Sequence, residues 1–311
     1  MRFFNKKKKP GWLAISAADQ GSCIAYVLKV RDEKPSIKQA QQHKLSLKDN
    51  EATKTLANLS SLNSHHSTLL LASGEYQLLQ IEKPNVPAEE LKQAVRWKLK
   101  DMIDYPVDQA TIDVIDIPTD PSNARRQAYV YAVATRNETI ADYMQRFIDS
   151  TESGLDAIDI PELAQRNIAA YLEQENRGLA MLSINGSSGL LTLTSGGELY
   201  YSRTIDINVK QWNSDDSEQK SSIYERLSLD IQRSLDNFER QVPYISINRL
   251  ILAPFTGRED FYDYLKTTLF IQIERFDITD VFNVDAGVDL GDLTMQASLL
   301  PVLGAALREA K

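Results

Sequence analysis

The sequence predicts an α/β protein of two lobes, each built from a mixed sheet flanked by helices. Three strand-like segments open the chain before residue 46, and a second set of three follows residue 177. Each set precedes helices with apolar residues at spacings of three and four, the period of an amphipathic helix. The 311 residues also exceed the usual size of one core, so two lobes are the default expectation. The two halves share an architecture more than they share residues, and we interpret them as a structural repeat.

The first half is predicted to alternate strands and helices after its opening meander. Typical turn sequences separate the opening strands. The predicted elements are strands at 12–16, 23–30 and 37–45, a helix at 50–61, strands at 67–72 and 76–81, a helix at 87–104, strands at 111–117 and 126–134, and helices at 137–147, capped by Asn137, and 161–175.

The helix at 87–104 has one apolar stripe and a large aromatic residue away from it. Pro87 is typical of a first helical turn. At about 100° per residue, Trp97 points well away from the stripe. This side chain either packs against a neighbouring element or belongs to a surface that takes a partner. The stripe consists of Leu91, Ala94, Val95, Leu99, Met102 and Ile103.

The second half is predicted to repeat the plan and to end in a helix. An Asn185-Gly186 turn separates its first two strands. The predicted elements are strands at 179–184, 190–194 and 198–205, an exposed loop at 212–222, a long helix at 223–242, a strand at 249–253, a helix at 257–269, a strand at 271–276 and a helix at 293–307.

Composition and charge exclude several classes of function. Apolar residues make up 42% and charged residues 25% of the chain, as is usual for a globular protein with a buried core. A net charge of −8 argues against nucleic acid as a ligand. One cysteine and three histidines give no metal-ligand pattern. No apolar run is long enough for a membrane span or a signal peptide, so we expect a cytoplasmic protein.

Four stretches resemble one known family in their order and spacing. Residues 86–117 combine a proline-led helix, an Arg96-Trp97 pair and a Tyr-Pro-Val-Asp turn; the others are 154–161, 229–236 and 247–253. Together they resemble the PilM family of type IV pilus and type II secretion assembly proteins. PilM proteins have the actin-like ATPase fold, so the resemblance implies that fold, and the two-lobe pattern agrees with it. The expected domains are a basic flexible tail at 1–10, lobe I at 11–177 with an inserted partner-binding subdomain at about 82–150, and lobe II at 178–311.

The resemblance also locates a nucleotide site, which we expect to be degenerate. The family has a phosphate-binding turn after the first strand of each lobe, and Ala14 and Ser183 stand where its motif has aspartates. The carboxylates that would hold Mg²⁺ are therefore absent at these positions. Pro254 and Phe255 are expected to reduce the room beside the adenine. The remaining candidate cofactor-binding residues are Ser16, Asn185, Gly186, Ser187, Ser188 and Gly257.

Two interpretations of the site stay open. The turn that begins at Asn185 either cradles phosphate through amides and hydroxyls or is an ordinary hairpin turn. We expect no catalytic residue, no metal site and no ATPase activity, and binding of ATP and Mg²⁺ is the alternative. In that alternative the protein is a switch in which ATP sets the angle between the lobes.

The resemblance implies a protein partner. In PilM proteins a groove in the first lobe receives the amino-terminal cytoplasmic tail of the inner-membrane protein PilN, and here a PilN- or MshJ-like protein would bind. A short peptide in such a groove gains most from a few buried anchors. The candidate partner-binding residues are Leu91, Arg96, Trp97 and Tyr105.

The implied function is a cytoplasmic scaffold of a pilus assembly platform, linked indirectly to an assembly ATPase and held at the inner membrane by its partner. A GspL-like secretion component is a further alternative. It is weakened because such proteins continue into a membrane span, whereas this sequence ends at Lys311. Lys6 to Lys9 either form part of a frayed terminus or make weak contact with anionic lipid.

Overall fold

The computed structural model describes residues 8–18, 21–47, 49–59, 62–120, 127–151, 154–256 and 258–309. The strands are β1 Lys9–Ala18, β2 Gly21–Leu28, β3 Ser36–His43, β4 His65–Leu70, β5 Tyr76–Glu82, β6 Ala110–Asp116, β7 Tyr129–Arg136, β8 Ala157–Asp159, β9 Gly178–Asn185, β10 Ser188–Ser195, β11 Glu198–Asp206, β12 Ile247–Leu252, β13 Gln272–Arg275 and β14 Asn283–Val284.

Helices cover the faces of the sheets. The α-helices are α1 Asn50–Leu59, α2 Leu91–Leu99, α3 Asn137–Ser150, α4 Pro161–Ala169, α5 Val209–Trp212, α6 Ser217–Gln241, α7 Glu259–Thr268, α8 Ile278–Val281 and α9 Leu293–Ala305, with short 3-10 turns at Leu62–Ser64, Ala88–Glu90 and Val107–Gln109. None of these helices is both long enough and apolar enough to cross a membrane.

Three sheets organise the strands. A six-stranded sheet has the order β14-β3-β2-β1-β4-β8, a five-stranded sheet the order β11-β10-β9-β12-β13, and a small sheet the order β5-β7-β6. Each larger sheet has an antiparallel three-stranded meander, followed by a strand parallel to the first: β4 beside β1 and β12 beside β9. The predicted α/β class, the mixed sheets and the repeated architecture are confirmed.

The main hydrophobic cluster joins the two larger sheets. Trp12 and Ala14 from β1 share it with Leu179 and Met181 from β9. Helix α9 supplies further buried residues, and Gly304 lets it approach α4 closely: a Cβ atom there would lie 2.2 Å from the carbonyl oxygen of Ala164. The two halves are therefore packed into one interior.

The C-terminal segment returns to the first sheet. β14 pairs in parallel with β3, and α9 packs across β1, β2 and β3. The predicted second lobe of residues 178–311 is therefore wrong at its end, because its last strand and helix complete the first lobe. A two-residue strand is defined by its pairing partner and leaves no alternation in the sequence.

The small sheet forms the core of the predicted inserted subdomain. Its one face packs against α2, and its other face contacts β11 of the second lobe, where the Tyr131 hydroxyl donates to the Tyr200 carbonyl oxygen at 3.3 Å. Helix α3 lies within the predicted range of about 82–150, yet Tyr143 and Phe147 pack in the first-lobe core. The subdomain thus spans less of the chain than we expected.

Several boundaries differ from the prediction for local reasons. The helix predicted at 87–104 is a 3-10 turn followed by α2, and Lys100 closes α2 by donating its N–H to the Trp97 carbonyl. Asn137 does not cap α3; its side chain accepts from the Thr111 hydroxyl instead. The loop predicted at 212–222 contains the start of α6, because Asp216 caps it by accepting from Gln219 N at 2.9 Å.

The basic tail is shorter than the predicted 1–10. Lys9 begins β1, and the Lys8 ammonium lies 2.6 Å from the Asp156 carboxylate, which also accepts from Ser67 N. Lys8 is thus engaged in a tertiary ion pair. Lys6 lies outside the described residues, as do its neighbours Lys7, Phe3 and Phe4.

Candidate functional site

A cleft of about 750 Å³ lies between the two larger sheets. Its walls come from the carboxyl ends of β1 and β4, the β9–β10 hairpin, and helices α4 and α9. Crevices at the carboxyl ends of strands are where open α/β sheets place ligands. The cleft is therefore the first candidate for a ligand site.

The structure brings most of the predicted cofactor-binding residues together. Ser16 from β1 lines the cleft, and so do Asn185, Ser187 and Ser188 from the β9–β10 hairpin. Gly257 lies outside the described residues. Whether this set binds a cofactor stays a prediction.

The β9–β10 hairpin has a two-residue turn. Asn185 pairs with Ser188, and Gly186, at the first central position, has φ +57° as type II′ turns require. Gly186 shapes this turn and is not among the residues that line the cleft. The turn is a hairpin turn, and whether its neighbours in the cleft also bind phosphate stays a prediction.

The two positions that lack aspartate are used for packing. Ala14 is fully buried in the main cluster. The Ser183 hydroxyl donates to Gln165 Oε1 at 2.7 Å, and Gln165 Nε2 donates in turn to the Met181 carbonyl and the Thr192 hydroxyl at 2.9 Å. These contacts hold α4 to the second sheet and give both polar side chains partners within the protein.

The cleft is acidic. Among the described residues that line it there is no Lys, Arg or His, whereas Glu75 and Glu162 both contribute. A phosphate group there would meet hydroxyls and amides, and no cation among the described residues of the lining would balance its charge. Within the described ranges no group of three or more potential metal ligands occurs.

The prediction that Phe255 reduces the room in this cleft is wrong. Pro254 does line it, but Phe255 turns into the second-lobe core, where its ring lies 6.0 Å from that of Trp212. The aromatic cluster around Trp212 takes the phenyl group because burial of its apolar surface is favourable. Phe255 therefore takes up no room in the cleft.

Glu162 is the cleft residue that the sequence reasoning missed. It is only 5% exposed, and the Tyr76 hydroxyl donates to its Oε2 at 2.6 Å. Burial raises the pKa of Glu162 above its ordinary value, while the hydrogen bond from Tyr76 opposes the rise. An acid one residue after Pro161 ordinarily marks an exposed first helical turn, so no sequence signal pointed to its burial.

The predicted stripe and aromatic of α2 are largely observed. Val95 and Leu99 are fully buried against the small sheet, and Trp97 is 65% exposed. The alternative in which Trp97 packs against a neighbouring element is therefore wrong. Met102 is 46% exposed and does not extend the stripe, because α2 ends before it.

The other candidate partner-binding residues have structural contacts. Leu91 is half-buried in the subdomain core. Arg96 donates from Nη1 to the Val107 carbonyl at 2.6 Å. Tyr105 is buried, with the Arg136 guanidinium 4.2 Å from its ring centroid. Trp97 is therefore the one candidate of the four whose side chain is mostly exposed.

Comparison with solved structures identifies the fold. The structure is similar to a chain of the PilM-PilN type IV pilus biogenesis complex, with a TM-score of 0.69 and 19% identity over 96% of this chain and 97% of the other. It is also similar to a Bacteroides thetaiotaomicron protein of unknown function with an actin-like ATPase fold, with a TM-score of 0.53 and 12% identity over 96% and 98%. The chain has the actin-like ATPase fold.

The comparisons with known proteins establish the actin-like fold and nothing beyond it. No family model and no curated protein matches the sequence. At such low identities a likeness between structures shows the fold alone.

Proposed function

We propose that this actin-like protein is a scaffold of a type IV pilus assembly platform that binds the cytoplasmic tail of an inner-membrane protein through its small sheet and α2. Trp97 carries the proposal, because a large aromatic side chain is exposed on a helix whose opposite face is buried. Exposed aromatic groups on rigid elements are typical anchors for protein partners. The likeness to a chain of the PilM-PilN complex supports this reading, since PilN is the second component of that complex.

The finer assignment is to a pilus system of the mannose-sensitive haemagglutinin type. There the chain would take the place of MshI, and its partner would be MshJ-like. The protein would lie at the cytoplasmic face of the inner membrane through that partner. Its link to the assembly ATPase would be indirect.

The proposed scaffold has lost ATPase activity. The missing aspartates and the engagement of Ser183 with Gln165 disfavour a bound Mg-phosphate group. A second candidate is a nucleotide-dependent switch. It is favoured by one observation, the cleft of about 750 Å³ beside the β9–β10 hairpin.

Thermal unfolding with and without Mg-ATP separates the two candidates. A ligand that binds only the native state adds about 2.7 kcal/mol at about a hundred times its dissociation constant. If the protein is a scaffold that does not bind ATP, Mg-ATP should not shift Tm. A clear rise would favour the switch.

Partner binding is tested by Trp97→Ala. Fluorescence anisotropy with a labelled tail peptide of a PilN- or MshJ-like protein from the same organism should show a loss of more than about 1 kcal/mol, roughly fivefold in Kd. Phe270→Ala is the matched control, because Phe270 is 99% exposed on the second lobe. Equal affinity of all three proteins would contradict the proposed surface.

A further inference from the structure

The small sheet is joined to the first lobe at one end only. β5 begins at Tyr76, which lies opposite Thr135 near the end of β7, and β6 begins at Ala110, opposite Arg136. The chain therefore enters the sheet from β4 and leaves it for α3 at the same end. There the Thr135 hydroxyl donates to the Glu75 carbonyl at 2.6 Å. A unit whose covalent connections lie together at one end is able to turn about that end.

The small sheet and α2 share a core of their own, and we call β5, β6, β7 and α2 together the lever. Ten buried apolar side chains form this core, and all of them lie between residues 81 and 134. The cluster therefore stays packed when the lever moves relative to the lobes. At about 3.3 Å per residue, the seven residues of β5 extend about 23 Å, so the lever has a far end well away from its connections.

Toward its far end the lever makes a thin contact with the second lobe. Among the described residues, three buried apolar side chains form this contact: Ile117, Tyr131 and Leu199. Two hydroxyl groups add to it, since Tyr131 donates to the Tyr200 carbonyl and Tyr244 donates to the Pro118 carbonyl, each at 3.3 Å. Both distances exceed the usual range for a hydroxyl donor, so both hydrogen bonds are weak.

A side pocket of about 160 Å³ lies between the lever and β11. Leu78 and Tyr131 line it from the lever, and Ser202 and Thr204 line it from β11. Glu162 lines both this pocket and the cleft. A gap between two surfaces forfeits the dispersion attraction that close packing would give. The lever is therefore held to the second lobe less firmly than its own strands are held to one another.

We propose that the lever turns as one folded unit about its end on the first lobe and detaches from β11. This motion breaks the two hydroxyl contacts and opens the side pocket to solvent, while the core of the lever stays packed. Because the lever joins the first lobe and touches the second, a change in the angle between the lobes also moves α2, which carries Trp97. The inference does not depend on what α2 binds.

Labelling of cysteine thiols in the native, full-length protein measures the motion. Wild type supplies the reference, because Cys23 is its one thiol, is fully buried in the main cluster and has a pKa that burial raises to about 12. The thiolate is the reactive form, so Cys23 should react with a chromogenic disulfide reagent only when the lobes unfold. Leu199→Cys and Ile117→Cys place a thiol on each side of the contact, and Val95→Cys places one in the core of the lever.

The lever predicts a particular order of labelling rates. The thiols of Leu199→Cys and Ile117→Cys should react at least about tenfold faster than Cys23 and at similar rates, since one local opening exposes both. The thiol of Val95→Cys should react as slowly as Cys23. Contact thiols as slow as Cys23 would overturn the proposal, and so would a Val95→Cys thiol as fast as they are, because the sheet would then unfold. A fast Leu199→Cys thiol beside a slow Ile117→Cys thiol would indicate fraying of β11 and would overturn it as well.

Removal of the two hydroxyl groups provides the second measurement. Tyr131→Phe and Tyr244→Phe, each combined with Leu199→Cys, should raise the labelling rate about two- to fivefold, as expected for the loss of one weak hydrogen bond. The matched control is Tyr129→Phe, an exposed tyrosine on the same strand as Tyr131, which should leave the rate unchanged. Equal rates in all of these proteins would show that the hydroxyl contacts do not hold the lever, contrary to the proposal.

Discussion

At the scale of single residues, Glu162 and Tyr76 connect the cleft to the small sheet. Glu162 lies in the first turn of α4, the helix between the lobes, and Tyr76 begins β5. The preceding residue, Glu75, is held as well: its carboxylate accepts from the Tyr143 hydroxyl at 2.9 Å and from Ala72 N at 2.8 Å. Two adjacent buried contacts therefore fix the start of the small sheet.

Replacement of Glu162 by Gln should make stability less dependent on pH. Burial holds the pKa of Glu162 above the ordinary 4.5, so the folded protein keeps the proton to a higher pH than the unfolded chain does. Below pH 4.5 both states are protonated; as the pH rises through the window above it, ionisation favours the unfolded chain. Glu162→Gln stays neutral and still accepts from Tyr76.

Urea denaturation of both proteins across the pH range measures this effect. Relative to wild type, the variant should gain stability as the pH rises above 4.5, and the gain should fade below it. A difference between the two proteins that is the same at every pH would contradict the assigned role of the carboxyl group.

Removal of the Arg308 side chain should leave the buried Asp159 carboxylate without its ion-pair partner. Its guanidinium lies 2.8 Å from the Asp159 carboxylate, whose side chain is 3% exposed. Arg308→Ala should lower the free energy of unfolding by roughly 3 kcal/mol, because the remaining carboxylate is left without its partner. Glu309→Ala is the control, since its pair with Lys29 lies at the surface and contributes little. Equal losses in the two variants, measured by chemical denaturation, would argue against this ion pair.

Residue-level patterns predicted the surface of the protein better than the cleft. Trp97 could be placed away from the buried stripe because its angle to the stripe is set by the helix period alone. Ser16 and Ser187 could be placed in one cleft because the resemblance puts a phosphate turn at the end of the first strand of each lobe, where both residues stand. Glu162 could not, because its burial depends on Tyr76, which is 86 residues away in the chain.

At the scale of elements, the crossing of α4 and α9 depends on one glycine. Gly304→Ala would bring a Cβ atom to 2.2 Å from the Ala164 carbonyl oxygen, so the helices must separate. We expect a loss of about 1–3 kcal/mol in the free energy of unfolding, as for other overpacked cores. Gly287→Ala is the control, because a Cβ atom there meets nothing within 4 Å and φ is not positive. Thermal and urea unfolding of both variants would check this, and equal stabilities would contradict the close crossing.

Long periodic elements were predicted and short ones were not. The apolar stripe of α6 is buried as expected, from Ile223 to Phe238. β8 and β14, with three and two residues, were missed. Short strands are specified by the neighbours with which they pair, and those neighbours are distant in sequence.

At the scale of the whole molecule, the actin-like lobes should unfold together. The main cluster takes residues from β1, β9, β12 and α9, so each larger sheet loses one of its packed faces when the other unfolds. The small sheet adds a bridge, because the Tyr244 hydroxyl donates to the Pro118 carbonyl at 3.3 Å. Scanning calorimetry should give one transition, with equal calorimetric and van't Hoff enthalpies. Two resolved transitions would show that the lobes are independent.

The return of the chain to its first sheet has a consequence for synthesis. Lys38 of β3 lies 3.0 Å from Asp285, which follows 247 residues later. At about 5–20 residues per second on the ribosome, the first lobe waits on the order of tens of seconds for β14 and α9. During that time the residues that α9 later covers are exposed, and a nascent chain in this state is a natural client for chaperones.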